Sequence, residues 1–194
     1  MKPITYPRVL LSSLLMLLLI FSCKNETKTD NSTPVSSTNA TSETQKTGQA
    51  FIKDDGSAPN VLQIAMGSPD HTTLVAAVQA AGLENSLVNA GPLMVFAPTN
   101  EAFDALPAGT VEDLLKPENK DALANILKYH VTPGNYSKEF LKKFKKLGQA
   151  NSQDVMVEVK GDDVYVGGAK IIASIPAGNG IVHVIDKVML PPSE

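Results

Sequence analysis

GPLMVFAPTNEAF, residues 91–103, decides the fold. Its apolar run from Leu93 to Phe96 is too short for a helix and sits between Gly91 and Pro98, so it reads as a buried strand. Pro98 followed by Thr99 then starts a helix that places Phe103 and Leu106 on one side. Two later stretches belong with this one. KYHVTPG, residues 128–134, carries a helix through Tyr129 and His130 to an exit at Thr132-Pro133-Gly134. GNGIVHVIDKVMLPP, residues 178–192, supplies a closing strand from Ile181 to Leu190.

Upstream, Leu74, Val78 and Ala81 recur at helical spacing, with Asp70 and Thr72 as N-caps and Gly82 as the stop. A short second helix follows from Leu83 to Val88. Beyond Phe103, Thr110 with Asp113 three residues on has the form of a capping box for a short helix ending near Lys116. Pro117 and Glu118 open the next helix, whose Leu123, Ile126, Leu127 and His130 share a face. Ser137 caps a further helix with the buried stripe Phe140, Leu141, Phe144 and Leu147. Its outer face is basic, carrying Lys138, Lys142, Lys143, Lys145 and Lys146. After Gly148 the period changes to two. Val155, Val157 and Val159 alternate with Met156, Glu158 and Lys160, Gly161-Asp162-Asp163 turns into Val164 to Val166, and a strand from Ile171 to Ile175 follows. Helices first and strands later predict an α+β domain with helices packed on a mostly antiparallel sheet system.

The strand running into Pro98-Thr99-Asn100, the Tyr129-His130 pair after a helix and the closing Asn179-Gly180-x-x-His183 strand come in a fixed order. In that order the chain closely resembles a fasciclin (FAS1) domain. The resemblance implies a wedge of two small, mostly antiparallel β-sheets flanked by several α-helices. It also implies a cell-surface or extracellular adhesion module, from a family with no common catalytic site. By the same resemblance His130 ties the Tyr-His segment to the helix start around Asn100. Tyr129, His130, Ser174, Ile175 and Asn179 fall in stretches that animal relatives use for integrin-type adhesion. Integrin binding itself does not carry over, because Ser174 stands where an acidic residue usually precedes the isoleucine and Gly178 replaces a Ser or Thr. Some relatives hold apolar pigments such as carotenoids, which makes a periplasmic carrier of an apolar small ligand the alternative reading.

At the N-terminus, Lys2 and Arg8 precede an apolar run from Val9 to Ile20 broken only by Ser12 and Ser13. That is a signal-peptide core, too short to favour a membrane-spanning helix. Ile20-Phe21-Ser22-Cys23 resembles the lipobox of bacterial lipoproteins, with the single cysteine at the acceptor position. Cys23 has no second cysteine to pair with. Several acyl chains on it, at about 0.8 kcal/mol per buried methylene, would make a permanent membrane anchor. Lys24 in place of an aspartate favours, by resemblance to enterobacterial sorting, the outer membrane, with the chain facing the cell surface or the periplasm. The expected organisation is a lipoprotein signal peptide over 1–22, lipidated Cys23 with a disordered polar tether to 52, and one fasciclin domain over 53–194.

The formal net charge is −3, and cleavage of the leader removes Lys2 and Arg8, leaving fifteen lysines against twenty acids and no arginine. Without guanidinium forks the bidentate contacts to phosphate and guanine are lost, so nucleic acid is not an expected partner. Catalysis is not expected either. His71, His130 and His183 are the side chains that ordinarily titrate near neutrality. His183 and Asp186, three apart on a strand, point to opposite faces, and His130 and His183 are expected to satisfy buried polar groups. Gly67-Ser68-Pro69-Asp70-His71 lacks the Gly-x-Ser-x-Gly frame of a nucleophile elbow. Asp162 and Asp163 are neighbours in a turn, which does not set them across a substrate from one another. No cofactor or metal site is expected. The optional feature is the basic face from Lys138 to Lys146, suited to docking an anionic extracellular polysaccharide, lipid headgroups or an acidic partner surface. The expected function is a noncatalytic, lipid-anchored module that attaches cells to one another or to a polymer matrix.

Overall fold

Two strands that read as unbroken apolar runs form the centre of the sheet. The computed structural model describes residues 56–192; the predicted signal peptide, Cys23 and the whole of the tether lie outside them. β1 (Leu93–Pro98) and β7 (Gly180–Ile185) pair in parallel, in register from Leu93 opposite Gly180 to Pro98 opposite Ile185, and every residue of both is buried. Parallel strands covered on both faces have no solvent side on which to alternate, which explains the continuous hydrophobicity.

On one side β1 pairs with β2 (Val131–Pro133). On the other, β7 continues into an antiparallel meander of β6 (Ala169–Ala177), β5 (Asp163–Val166), β4 (Asp154–Lys160) and β3 (Lys146–Gly148). The fold is α+β, as expected, with a correction to the sheets. Among the described residues all seven strands form one order, β2-β1-β7-β6-β5-β4-β3, in place of two small sheets. The reason lies in the short connections from β3 through β7, which keep each of β4 to β7 beside its predecessor, and in the β1–β7 pairing that joins this meander to β1 and β2. Gly167 and Gly168 form a two-residue turn with positive φ at both positions, which a type I′ hairpin requires and side chains resist.

The helices are α1 (Val61–Met66), α2 (Thr72–Ala81), α3 (Glu84–Asn89), α4 (Asn100–Asp104), α5 (Thr110–Leu114), α6 (Lys120–Tyr129) and α7 (Lys138–Leu141). Pro69–His71 and Pro117–Asn119 form 3-10 turns that lead into α2 and α6. β1 separates two cores by the alternation of its side chains. Leu93, Val95 and Ala97 join α1, α2 and α6 in one, while Met94 and Phe96 join Leu141, Val155, Val164, Val166 and Ile171 in the other.

Five local expectations are corrected. The caps of α2 are not Asp70 and Thr72: Ser68 caps the preceding turn, and Asn100 Oδ1 accepts from Thr73 N–H at 3.1 Å and from the Thr72 hydroxyl at 3.2 Å. Thr110 makes no capping box, because Gly109 occupies the cap position and Asp113 instead pairs with Lys116 at 2.5 Å. The exit at Val131–Pro133 is the edge strand β2, and the closing strand ends at Ile185, short of Leu190. The lysine-rich helix stops at Leu141, after which the backbone turns and Lys146–Gly148 pairs with β4. Leu147 opposite Val155 fills the second core from a strand, and that burial overrides the helical spacing of Phe140, Leu141, Phe144 and Leu147.

Candidate functional site

Tyr129 and His130, proposed as contact residues, are 5% and 3% exposed and therefore belong to the interior. The His130 Nδ1 bonds the Ile126 carbonyl at 2.8 Å, which can only accept, so Nδ1 carries the proton. Nε2 is then free to accept from the Met189 N–H at 2.9 Å. This corrects the expected tie to Asn100: the ring faces the segment after β7, and Asn100 serves α2. Burial holds His130 neutral, its pKa lowered to about 4.

His183 is fully buried and joins the Ser174 stretch of β6 to the loop before α7. Its Nε2 donates to the Tyr136 carbonyl at 2.9 Å, and its Nδ1 accepts from the Ser174 hydroxyl at 2.7 Å. Burial lowers its pKa, and the Lys138 charge lowers it further against the effect of the Tyr136 bond. Ser174 and Ile175 are exposed on β6. Asn179 has a structural duty: Oδ1 accepts from Val61 N–H at 2.9 Å and Nδ2 donates to the Leu87 carbonyl at 2.8 Å, fastening α1 and α3 to the β6–β7 turn.

Tyr136, which sequence reading missed, lies at the centre of a ring cluster. Its centroid is 5.5 Å from Phe140 and 5.2 Å from Phe144, and Phe140 and Phe144 are 5.5 Å apart. Phe140 is 41% exposed, with Lys143 Nζ 4.9 Å above its ring. The five candidate lysines do not act alike. Lys142 pairs with Glu139 at 2.9 Å and Lys146 with Asp154 at 2.5 Å, so part of the basic charge is already compensated. Lys138 and Lys145 have no ion pair among the described residues, and Lys143 has its cation–π contact alone.

A cavity of about 230 Å³ opens in the helix-side core. Its walls come from α1, α2, α3 and α6 against β1 and β2, with Leu62, Val78, Leu87, Val95, Leu127 and Val131 among them. No sequence signal marked it, since each lining residue reads singly as core. Among the described residues no cluster of three or more His, Cys, Asp or Glu could hold a metal ion, and no helix is long and apolar enough to cross a membrane.

The fasciclin-domain family model matches residues 69–191. The chain belongs to the fasciclin family. Over 150 residues it is 45% identical to protein sll1483 of Synechocystis, spanning 77% of this chain and 83% of that protein. It is 38% identical over 150 residues to the transforming growth factor-beta-induced protein ig-h3 of Sus scrofa, spanning 75% of this chain and 22% of that protein. A third relative, the cell surface glycolipoprotein MPB83 of Mycobacterium bovis, is 35% identical over 140 residues, spanning 69% of this chain and 61% of that protein. Within this fasciclin domain, the ring cluster packs on one core of the sheet and the cavity lies in the other.

Proposed function

We propose that this fasciclin chain is a noncatalytic binding module, held at the outer membrane by lipid on Cys23, that attaches cells to one another or to an extracellular polysaccharide. The likeness to a cell surface glycolipoprotein supports display outside the cytoplasm. The observation that carries the reading is the ring cluster of Tyr136, Phe140 and Phe144 with Lys143 across it. The exposed Phe140 ring, backed by the half-buried Tyr136 and Phe144, offers a negative face to the C–H surfaces of a sugar, and unpaired ammonium groups at its edge attract uronate carboxylates. Ser174 is linked to the backbone of Tyr136 through the buried His183 imidazole.

The test is retention of the full chain on an immobilised polyuronate. Phe140→Ala combined with Lys143→Ala is expected to weaken binding about tenfold, a loss of about 1.4 kcal/mol. Binding is also expected to weaken between about 0.1 and 1 M salt, over which the screening length falls from about 10 to about 3 Å. Unchanged retention by the double variant would remove this surface from the reading.

The cavity favours a second reading, a periplasm-facing holder of an apolar small ligand. At about 230 Å³ it exceeds the roughly 150 Å³ that suffices for one benzene in an apolar protein cavity. A carotenoid is larger and would seat one end ring only. Organic extraction of the natively purified protein is expected to release a stoichiometric apolar compound, and a clean extract from protein never exposed to detergent counts against this reading.

A further inference from the structure

The chemistry of the cavity's lining restricts what it can hold. Among its lining residues, Ser86, Ala90, Lys128 and Ala150 are exposed and mark the mouth, while Val61, Leu62, Leu74 and Val78 are buried and form the deep wall. Among the described residues no carboxylate lines it, and the one cation there is Lys128. The polar side chain among the buried liners is His130, whose two ring nitrogens are already spent on Ile126 and Met189. An occupant therefore finds no hydrogen-bond partner and no charge within, and an ionised group carried inside would be stranded without compensation. At the mouth the situation reverses. Lys128 is exposed and has no ion pair among the described residues.

We propose that the cavity binds an amphiphile with one anionic headgroup, a medium-chain fatty acid, with its tail in the apolar chamber and its carboxylate at Lys128. This rests on the second reading above, that the cavity holds an apolar ligand. The volume sets the tail length. A methylene occupies about as much space as a liquid water, roughly 30 Å³, so 230 Å³ accommodates about eight carbons. A helix C-terminus attracts lysine without any ligand, and that accounts for Lys128 lying in the last turn of α6. It does not account for an uncompensated cation at the mouth of a chamber that otherwise lacks charge.

The experiment uses the purified full chain stripped of bound lipid, titrated with hexanoate, octanoate, 1-octanol and octylamine by displacement of an environment-sensitive dye. Each methylene up to the capacity of the chamber is expected to tighten binding about fourfold. Octanoate is expected to bind about tenfold more tightly than octanol, with octylamine the weakest. Lys128→Met is expected to bring octanoate to the level of octanol while leaving octanol unchanged, a pattern that a purely structural lysine would not produce. Ala90→Trp, placed at the exposed mouth where the core is untouched, is expected to abolish all binding. Equal binding of octanoate and octanol, unaffected by Lys128→Met, overturns the headgroup assignment and leaves the apolar-ligand reading standing. If none of the probes binds, both fail.

Discussion

Gly180→Ala is expected to lower the melting temperature by at least about 10 °C, or to leave the chain insoluble, a cost of about 4 kcal/mol. Gly180 stands opposite Leu93 at the start of the parallel β1–β7 pairing, and Leu93 N–H donates to the neighbouring Asn179 carbonyl at 3.0 Å. A Cβ there would overlap the Leu93 carbonyl oxygen and stand 2.8 Å from the carbonyl carbon. Both are backbone atoms of a fully buried strand, so no rotamer change relieves the overlap. The alternatives are to part the two strands or to slip their register, and a slip of one residue exchanges the faces of every side chain on β1. Leu93, Val95 and Ala97 would then exchange cores with Met94 and Phe96. Gly91→Ala is the control, since a Cβ at Gly91 meets nothing within 4 Å. Thermal unfolding of the two variants checks the argument, and a Gly180→Ala melting point within about 2 °C of the parent defeats it.

The two strands of that pair were legible in the sequence because burial on both faces leaves continuous apolar runs, though their parallel pairing was not, and the β4–β5 hairpin was legible because one-sided burial leaves alternation. The helices α2 and α6 declared themselves by spacing and by their stops. What escaped were elements whose definition lies elsewhere in the chain. β2 and β3 are three residues long, too short for any period, and exist because β1 and β4 offer them a ladder. The cap of α2 is Asn100, 27 residues away from Thr73, and the partner of His130 is Met189, 59 residues away. The His130 tie was expected in the right kind and misplaced in its partner. The candidate site followed the same logic. Basic charge between Lys138 and Lys146 was visible, but which lysines are compensated depends on Glu139 and Asp154, and on where the helix gives way to a strand. The cavity was invisible because it consists of volume left unfilled among residues from 61 to 150, each of which fits a core.

Acid is expected to begin destabilising this domain above the pH at which its carboxylates titrate. His71, His130 and His183 are all buried, and desolvation lowers the pKa of each, with Asp70 opposing the shift at His71. In the unfolded chain a histidine takes up its proton near pH 6.5. Folded His130 resists protonation down to about pH 4. Between those values the unfolded state binds the extra proton, so stability is complete above about pH 6.5 and is lost progressively as the pH falls toward 4. At 1.36 kcal/mol per unit, His130 alone accounts for about 3 kcal/mol over that window, a large fraction of the net stability of an ordinary domain. His71 and His183 shift in the same direction and steepen the loss. Urea unfolding between about pH 7.5 and pH 4 checks this, with a midpoint that falls continuously through the window as the expected outcome. His130→Gln is expected to be less stable at neutral pH and to show a shallower slope, with about one proton fewer taken up on unfolding. The first contact to fail has a named position: protonated at both nitrogens, His130 cannot accept the Met189 N–H, so amide exchange at Met189 should accelerate before the global transition. A midpoint that stays flat from pH 7.5 to pH 4.5 would mean that these three rings reach water in the folded state, contrary to the burial on which the argument rests.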